Sequence, residues 1–303
     1  MDGSDALQPL APPQAPLHRD ASAPEALQTI AQGCIGQIKT CQRGLNRRSP
    51  EALHQVRVAL RRWRTALTVF DELLTEDGKN LRGELDWLAG ELNEARDLDV
   101  FALALEARGR SAEADKAALA GLAAALSQAR SRAYERAAQA VRSDRVRRTL
   151  WEGARPIQAS GLTRVDRTPR AQAVVAKALA RRRRQLAQDG PRLRKLDANA
   201  RHRLRIRAKK ARYAAELFGE LFGHRRRQRR FTQALKELQD ALGELNDVHV
   251  GKSLARSLAR DVSDVEAGFE AGLIAGARAG REPELLARAG EAYGRFAEVD
   301  RFW

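Results

Sequence analysis

The sequence predicts an all-α protein made of two copies of one multi-helix unit. Three observations carry this expectation. Helix-forming Ala, Leu and Arg dominate while β-branched residues are sparse, and no segment alternates apolar and polar residues with period two. One basic, histidine-led stretch also occurs twice, at His54–Arg64 and His202–Arg212. A length of 303 residues allows one large or two ordinary domains, and 43% hydrophobic content is ample for a packed core.

The elements follow in order. Residues 1–21, with prolines at 9, 12, 13 and 16, read as a flexible tail. Ser22, Pro24 and Glu25 form a capping box with an early proline, opening a helix expected to reach about Leu45. Ser49-Pro50-Glu51 opens a second, expected to run to about Leu74 before Asp77-Gly78 breaks it. A third is expected over about Asn80–Ala95, a fourth from near Asp97, and a long one over about Glu113–Arg142. Gly153, Pro156, Ser160 and Gly161 lack helical period, so 153–168 reads as a linker between subdomains at 22–152 and 169–303. Thr168-Pro169 then starts a helix that Gly190-Pro191 ends. Further helices are expected at about Ala198–Phe222, His224–Leu245, Asp247–Leu258, Asp264–Arg278 and Pro283–Asp300, with a cap at Ser263–Glu266.

The repeat is gapless over its basic part. HQVRVALRRWRTALTVFDELL (His54–Leu74) aligns on HRLRIRAKKARYAAELFGELF (His202–Phe222), with Arg57/Arg205, Arg64/Arg212 and Phe70/Phe218 identical and Arg61 and Arg62 becoming Lys209 and Lys210. Downstream, Leu85–Val100 matches Leu235–Val250, each a leucine-rich stretch ahead of an aspartate, Asp97 or Asp247. A pseudo-twofold arrangement would set the two basic helices facing one another across a shared space.

Placed at 100° per residue, Val56, Ala59, Leu60, Trp63, Ala66, Leu67, Phe70 and Leu74 share one broad apolar face. His54, Arg57, Arg61 and Arg64 fall on a narrow strip beside it, a ladder about 15 Å long. His202, Arg205, Lys209 and Arg212 build the same ladder in the second copy. Neighbouring like charges on a helix repel, and no acid intervenes in either strip. A polyanion would reward that arrangement: Arg presents a planar fork for two phosphate oxygens, Lys a point charge, and His a donor that gains charge beside phosphate. The bland alternative has these side chains skirting an ordinary bundle and pairing with Asp97 and Asp247. Arg47 and Arg48, just upstream, could extend the first ladder, whereas Arg181–Arg184 circles its helix and Arg225–Arg230 reads as solvated surface.

A net charge of +16 suits nucleic acid, an anionic membrane or another polyanion. Membrane insertion is not expected, because the longest bland apolar run, Ala117–Leu126, is about half a membrane span. The N-terminus lacks the basic-then-apolar order of a signal peptide. The two cysteines, Cys34 and Cys41, would lie two helical turns apart, too far for a disulfide, and read as buried thiols of a cytoplasmic protein. Catalytic motifs are thin: G-x-x-x-x-G-K-[ST], H-E-x-x-H, C-x-x-C and G-x-S-x-G are all absent. Asp97-x-Asp99 becomes Asp247-x-His249 in the second copy, too little shared chemistry for a metal site, so Asp97 and Asp247 read as helix N-caps. No cofactor is expected.

Together, H-x-V-R-V-x-x-R-R-x-R, E-x-R-D-x-D-V, H-x-L-R-I-x-x-K-K-x-R-Y and L-K-x-L-Q-x-x-L-G-x-L-N-D-V resemble the CHAD family of histidine-containing α-helical domains over about residues 24–300. The resemblance implies two pseudo-symmetric helical subdomains around a basic central groove or pore that binds inorganic polyphosphate, with localisation on polyphosphate granules and granule proteins as further partners. It carries binding roles to His54, Arg57, Arg61, Arg62 and Arg64, and to His202, Arg205, Lys209, Lys210, Arg212 and Tyr213; Lys236 also fits its pattern. The E-x-E-x-K signature of the CYTH domain that often accompanies the family is absent, so a stand-alone, non-catalytic binder is expected. Competing readings are a nucleic-acid-binding protein and a metal-dependent phosphohydrolase. Base stacking would want aromatics along the strip, yet Trp63 lies on the apolar face and only Tyr213 is near. One departure from symmetry is Ala59, which becomes Arg207 on the expected core face.

Overall fold

Helix caps written into the sequence set where the chain turns. Ser22 accepts from Glu25 N–H while Glu25 bonds back to Ser22, closing the capping box that starts α1 (Ala23–Asn46). Ser49 caps α2 (Pro50–Val69) through Ala52 N–H. The protein, described by a computed structural model over residues 16–111, 115–156, 160–164, 168–261, 272–273 and 282–303, continues with α3 (Glu76–Glu91), α4 (Asn93–Gly109), α5 (Lys116–Arg142) and α6 (Asp144–Ala154). The second half comprises α7 (Ala171–Asp189), α8 (Ala198–Phe218), α9 (Arg225–Asp261) and α10 (Glu282–Glu298). Among the described residues the only β pairing is two isolated bridges, so the fold is all-α as the composition predicts.

Several expected boundaries are corrected. The second helix stops at Val69 rather than Leu74, because Phe70 turns into the core and the chain tightens into a 3₁₀ turn, Asp71–Leu73. Asp77-Gly78 breaks nothing. Thr75 caps α3 through Gly78 N–H, and Gly78 is required for close approach, since a Cβ there would stand 2.4 Å from the Leu162 carbonyl. Asp97 is no N-cap: α4 begins at Asn93, behind Leu92, which offers no side-chain cap. Asp247 lies inside the unbroken α9, where separate helices were expected. Residues 144–154, unassigned in the sequence reading, form α6, with Ser143 accepting from Val146 N–H. Gly153 belongs to α6, and the Trp63 ring lies where its Cβ would be, at 2.2 Å. The cap at Ser263–Glu266 and most of the helix expected at Asp264–Arg278 lie outside the described residues, as do residues 1–15 of the expected tail.

All eight residues placed on the apolar face of α2 are buried at 1% exposure or less. Cys34 and Cys41 are free and buried on α1, and burial pushes the Cys34 thiol up to about 12. Among the described residues no helix is long and apolar enough to cross a membrane.

Contacts between the halves are reciprocal. Ala23 N–H donates to the Pro169 carbonyl at 2.8 Å, and Ala171 N–H donates to the Ala21 carbonyl at 2.9 Å, around the antiparallel bridge of Ser22 with Arg170. The Phe70 and Phe218 rings meet edge to face, with centroids 5.4 Å apart. Ser22 and Arg170, the two donors Ala23 and Ala171, and Phe70 and Phe218 are each separated in sequence by the interval that divides His54 from His202. This reciprocity brings α2 alongside α8 and positions the site.

Candidate functional site

A cleft of about 750 Å³ runs between α2 and α8, walled also by α3, α4 and α7. From α2 it takes His54, Arg57, Arg61 and Arg64 with Val58, Thr65 and Thr68; from α8 it takes Ile206, Lys209, Lys210 and Tyr213. Arg82, Arg96 and Arg182 complete the cationic lining. Eight lysine and arginine side chains therefore face one carboxylate in the lining, Asp86. The whole first ladder opens onto this space because the strip borders the apolar face buried against α1.

The three α2 arginines that line the cleft are each oriented by a neighbour. Arg57 Nη1 donates to Asn93 Oδ1 at 2.7 Å and to the Leu92 carbonyl at 3.2 Å, where the chain breaks between α3 and α4. Arg61 stacks its guanidinium 4.2 Å from the Tyr213 ring centre and donates to the Tyr213 hydroxyl at 3.3 Å. Arg64 pairs with Asp86, and Arg82 with Asp71. Burial holds the Arg57 pKa below its usual value, with Asp97 partly offsetting it and Arg96 and Arg61 adding to it. His54 is likewise lowered, by partial desolvation and by Arg96, Arg61 and Arg57, against an opposite pull from Glu51. Lys209 is the most perturbed group of the two ladders. Desolvation, then Arg205, Arg57, Arg61 and Arg64, bring it down to about 8. Such a shift reports burial first and the surrounding positive charge second.

The second ladder is split. Lys209 faces the cleft, but His202, Arg205 and Arg212 are not among the residues that line it. Arg212 pairs along its own helix with Glu216 at 3.3 Å and lies 4.9 Å from the Tyr213 ring, and its Nε has no hydrogen-bond partner. Arg205 Nε is also buried without a partner, facing α9 at Gly243. Arg47, Arg48, Arg62 and Lys236 are likewise absent from the lining. Arg47 is the C-cap of α1, and Arg48 pairs with Glu135 at 2.8 Å. Arg62 acts electrostatically on the Cys34 thiol, pulling against its burial, and Lys236 is exposed on α9.

Sequence reasoning missed Arg82, Arg96 and Arg182. Arg96 sits inside the E-x-R-D-x-D-V motif and could have been taken with it; Arg82 carries no pattern. Arg182 belongs to the run Arg181–Arg184, which the fold divides: Arg183 donates to the Val299 and Ala297 carbonyls near the end of α10, while Arg182 is buried. Of the two remaining motif acids, Asp99 is structural, accepting from Arg130 at 2.7 Å and from the Tyr134 hydroxyl at 2.8 Å in the core. The side chains of Asp247 and His249 lie outside the described residues. Among the described residues, no group of three His, Cys, Asp or Glu side chains comes together in a metal-binding arrangement.

A family model for the CHAD domain matches residues 29–256. The chain belongs to the CHAD family. This CHAD chain is similar to the crystal structure of the CHAD domain from the plant Ricinus communis, with 29% identity, a TM-score of 0.77, and coverage of 93% of this chain and 94% of that one. It also shares its fold with PptA from Streptomyces chartreusis, at 20% identity and a TM-score of 0.61, covering 92% and 99% of the two chains. Among curated proteins, none matches the CHAD chain in sequence.

Proposed function

We propose that the cleft binds inorganic polyphosphate without transforming it. The observation that carries this reading is the lining itself: eight cations against one carboxylate, with Lys209 depressed to about 8 by burial and by its arginine neighbours. A flexible chain of phosphates supplies closely spaced negative charge to such a surface and restores the missing counter-ions. Membership of the CHAD family supports the choice of polyphosphate among polyanions. His54, Arg57, Arg61, Arg64 and Lys209 make first contact in this reading, with Lys210 and Tyr213 beside them; His202, Arg205 and Arg212 act from the flank.

The aromatic content favours polyphosphate over nucleic acid. Tyr213, the one aromatic residue in the lining, already has Arg61 and Arg212 within cation–π distance of its ring, and a single occupied ring is a poor platform for base stacking. We also infer that the chain arose by internal duplication, the sequence-derived subdomains at 22–152 and 169–303 being adjusted so that the first runs to the end of α6 at Ala154. The reciprocal hydrogen bonds of Ala23 and Ala171 support that history. Cytoplasmic localisation on polyphosphate granules follows as a proposal, tested by co-localising a fluorescent fusion with stained granules.

The deciding experiment is a competition titration of long-chain polyphosphate against single- and double-stranded DNA at fixed salt. Polyphosphate should displace DNA at much lower phosphate concentration, with a steep salt dependence. Equal affinity per phosphate for DNA would sink the reading.

A further inference from the structure

Arg182 on α7 is 7% exposed, and its Nη1 has no hydrogen-bond partner among the described residues. It is also the only buried cation among them; the buried carboxylate Asp99, by contrast, is matched by Arg130 and Tyr134. Taking a guanidinium out of water with nothing to compensate it is unfavourable. Burial and the neighbouring Arg181 lower its pKa to about 10.

The surroundings of Arg182 explain its retention. Besides the large cleft, it lines a second pocket of about 300 Å³ between α7 and α8, with Gln185, Arg203, Ile206, Arg207 and Lys210. Four cations and no carboxylate line this pocket, and one of the four, Arg207, is paired with Asp189 outside the lining.

The same place in the first half keeps only one of the four cations, Arg62 in the position of Lys210. At the interval that relates Ser22 to Arg170, Arg182 corresponds to Cys34, Asp189 to Cys41, Arg203 to Gln55 and Arg207 to Ala59. Cys34, Cys41 and Ala59 are buried in the α1–α2 contact, and Gln55 is engaged by Gln37 and Glu51. Three small or neutral groups have thus become arginines, in one half only. Simple packing would have kept them uncharged.

We infer that the α7–α8 pocket is a second anion site, built for a phosphate-type oxyanion and separate from the cleft. Arginine forks match the paired oxygens of phosphate, and several converging cations suit a multiply charged group better than a carboxylate. The pocket is at the small end of ligand sites, so it fits one short phosphate unit. That unit is either a free small phosphate or a stretch of a polyphosphate chain that leaves the cleft past Arg182, Ile206 and Lys210, which line both cavities.

The test is calorimetric titration of the full chain with inorganic pyrophosphate. Arg203 and Arg207 line the pocket alone, and Arg57 and Arg61 the cleft alone. Arg203→Gln with Arg207→Gln should remove one class of pyrophosphate site from the titration, a weakening of about tenfold or more at that site, while Arg57→Gln with Arg61→Gln leaves that class in place and weakens only binding in the cleft. Arg182→Met should raise the melting temperature without anion and abolish the further rise that pyrophosphate gives the wild type. Loss of pyrophosphate binding in the cleft variant alone, or no pyrophosphate effect on the wild type, overturns the inference. Long-chain polyphosphate then separates the sources: a matching loss in the Arg203/Arg207 variant means that the chain enters the pocket, and unchanged affinity means that the ligand is a free small phosphate. Because the pocket and cleft variants are read separately, failure here leaves the reading of the cleft intact.

Discussion

The two basic helices begin from nearly the same sequence and end in different roles. On α2 all four rungs, His54, Arg57, Arg61 and Arg64, open onto the cleft; on α8 only Lys209 does. Two local differences account for the split. In the first half, where α3 gives way to α4, Arg57 donates to the Leu92 carbonyl and to Asn93 Oδ1. In the second half α9 runs on without a break, and Gly243, which has no side-chain acceptor, stands where Asn93 would be. Arg205 is left facing a bare backbone. The second difference is Glu216, which takes the place of Thr68 and draws Arg212 along its own helix. A repeated motif therefore repeats its helix and its core face, but its charges follow whatever partners each half supplies.

Four changes would break or sharpen that contrast, the largest first. Trp63, fully buried over Gly153, has Ala211 as its counterpart. Trp63→Ala should cost about 3–5 kcal/mol in chemical denaturation. A loss under 1 kcal/mol would mean that the first half does not rest on this contact. Next, Arg57→Met with Arg61→Met should weaken polyphosphate by roughly a hundredfold, whereas Arg205→Met with Arg212→Met should change it by less than about fivefold. Equal losses in a binding titration would restore the symmetric ladder.

The third change is pH. Lys209 titrates near 8 in the free protein, and a polyanion must raise that value by favouring the charged form. Binding is therefore strongest below pH 8 and should fall about tenfold between pH 7 and 9, the factor set by deprotonation of the free state. Lys209→Arg should flatten this limb. The lowered pKa of His54 leaves it neutral at pH 7, so a second, weaker gain is expected only toward acid. A flat profile in the wild type would remove Lys209 from contact with the ligand. Smallest is Gly243→Asn. A Cβ there meets Arg205 Nε at an ordinary 3.7 Å, so the amide can supply the acceptor that the second half lacks. Roughly 1 kcal/mol of added stability is expected from helix propensity and one hydrogen bond. Destabilisation would show that Gly243 is needed for another reason.

Much of the fold was legible because its signals are local. A period of 3.6 places Val56, Leu60, Trp63 and Leu67 on one face whatever they pack against, and all are buried. Caps at Ser22 and Ser49 act within four residues of themselves. Boundaries failed where a distant contact decided them: Gly78 reads as a breaker but is small to admit Leu162, and Gly153 reads as linker but is small to admit Trp63. For the site, the α2 strip could be drawn from the helical wheel, while Arg82, Arg96 and Arg182 enter from three other helices.

The twin basic helices remain what the sequence by itself determined: their number, their apolar faces, and a charged strip at the border of each. Local periodicity and capping are enough for that, because both act over a few residues. Which strip meets the shared space was decided by tertiary structure alone. The break at Leu92, the unbroken α9 and the pairing of Arg212 with Glu216 set the direction of each long, flexible cation, and Arg182 acquired its burial from helices far away in the chain.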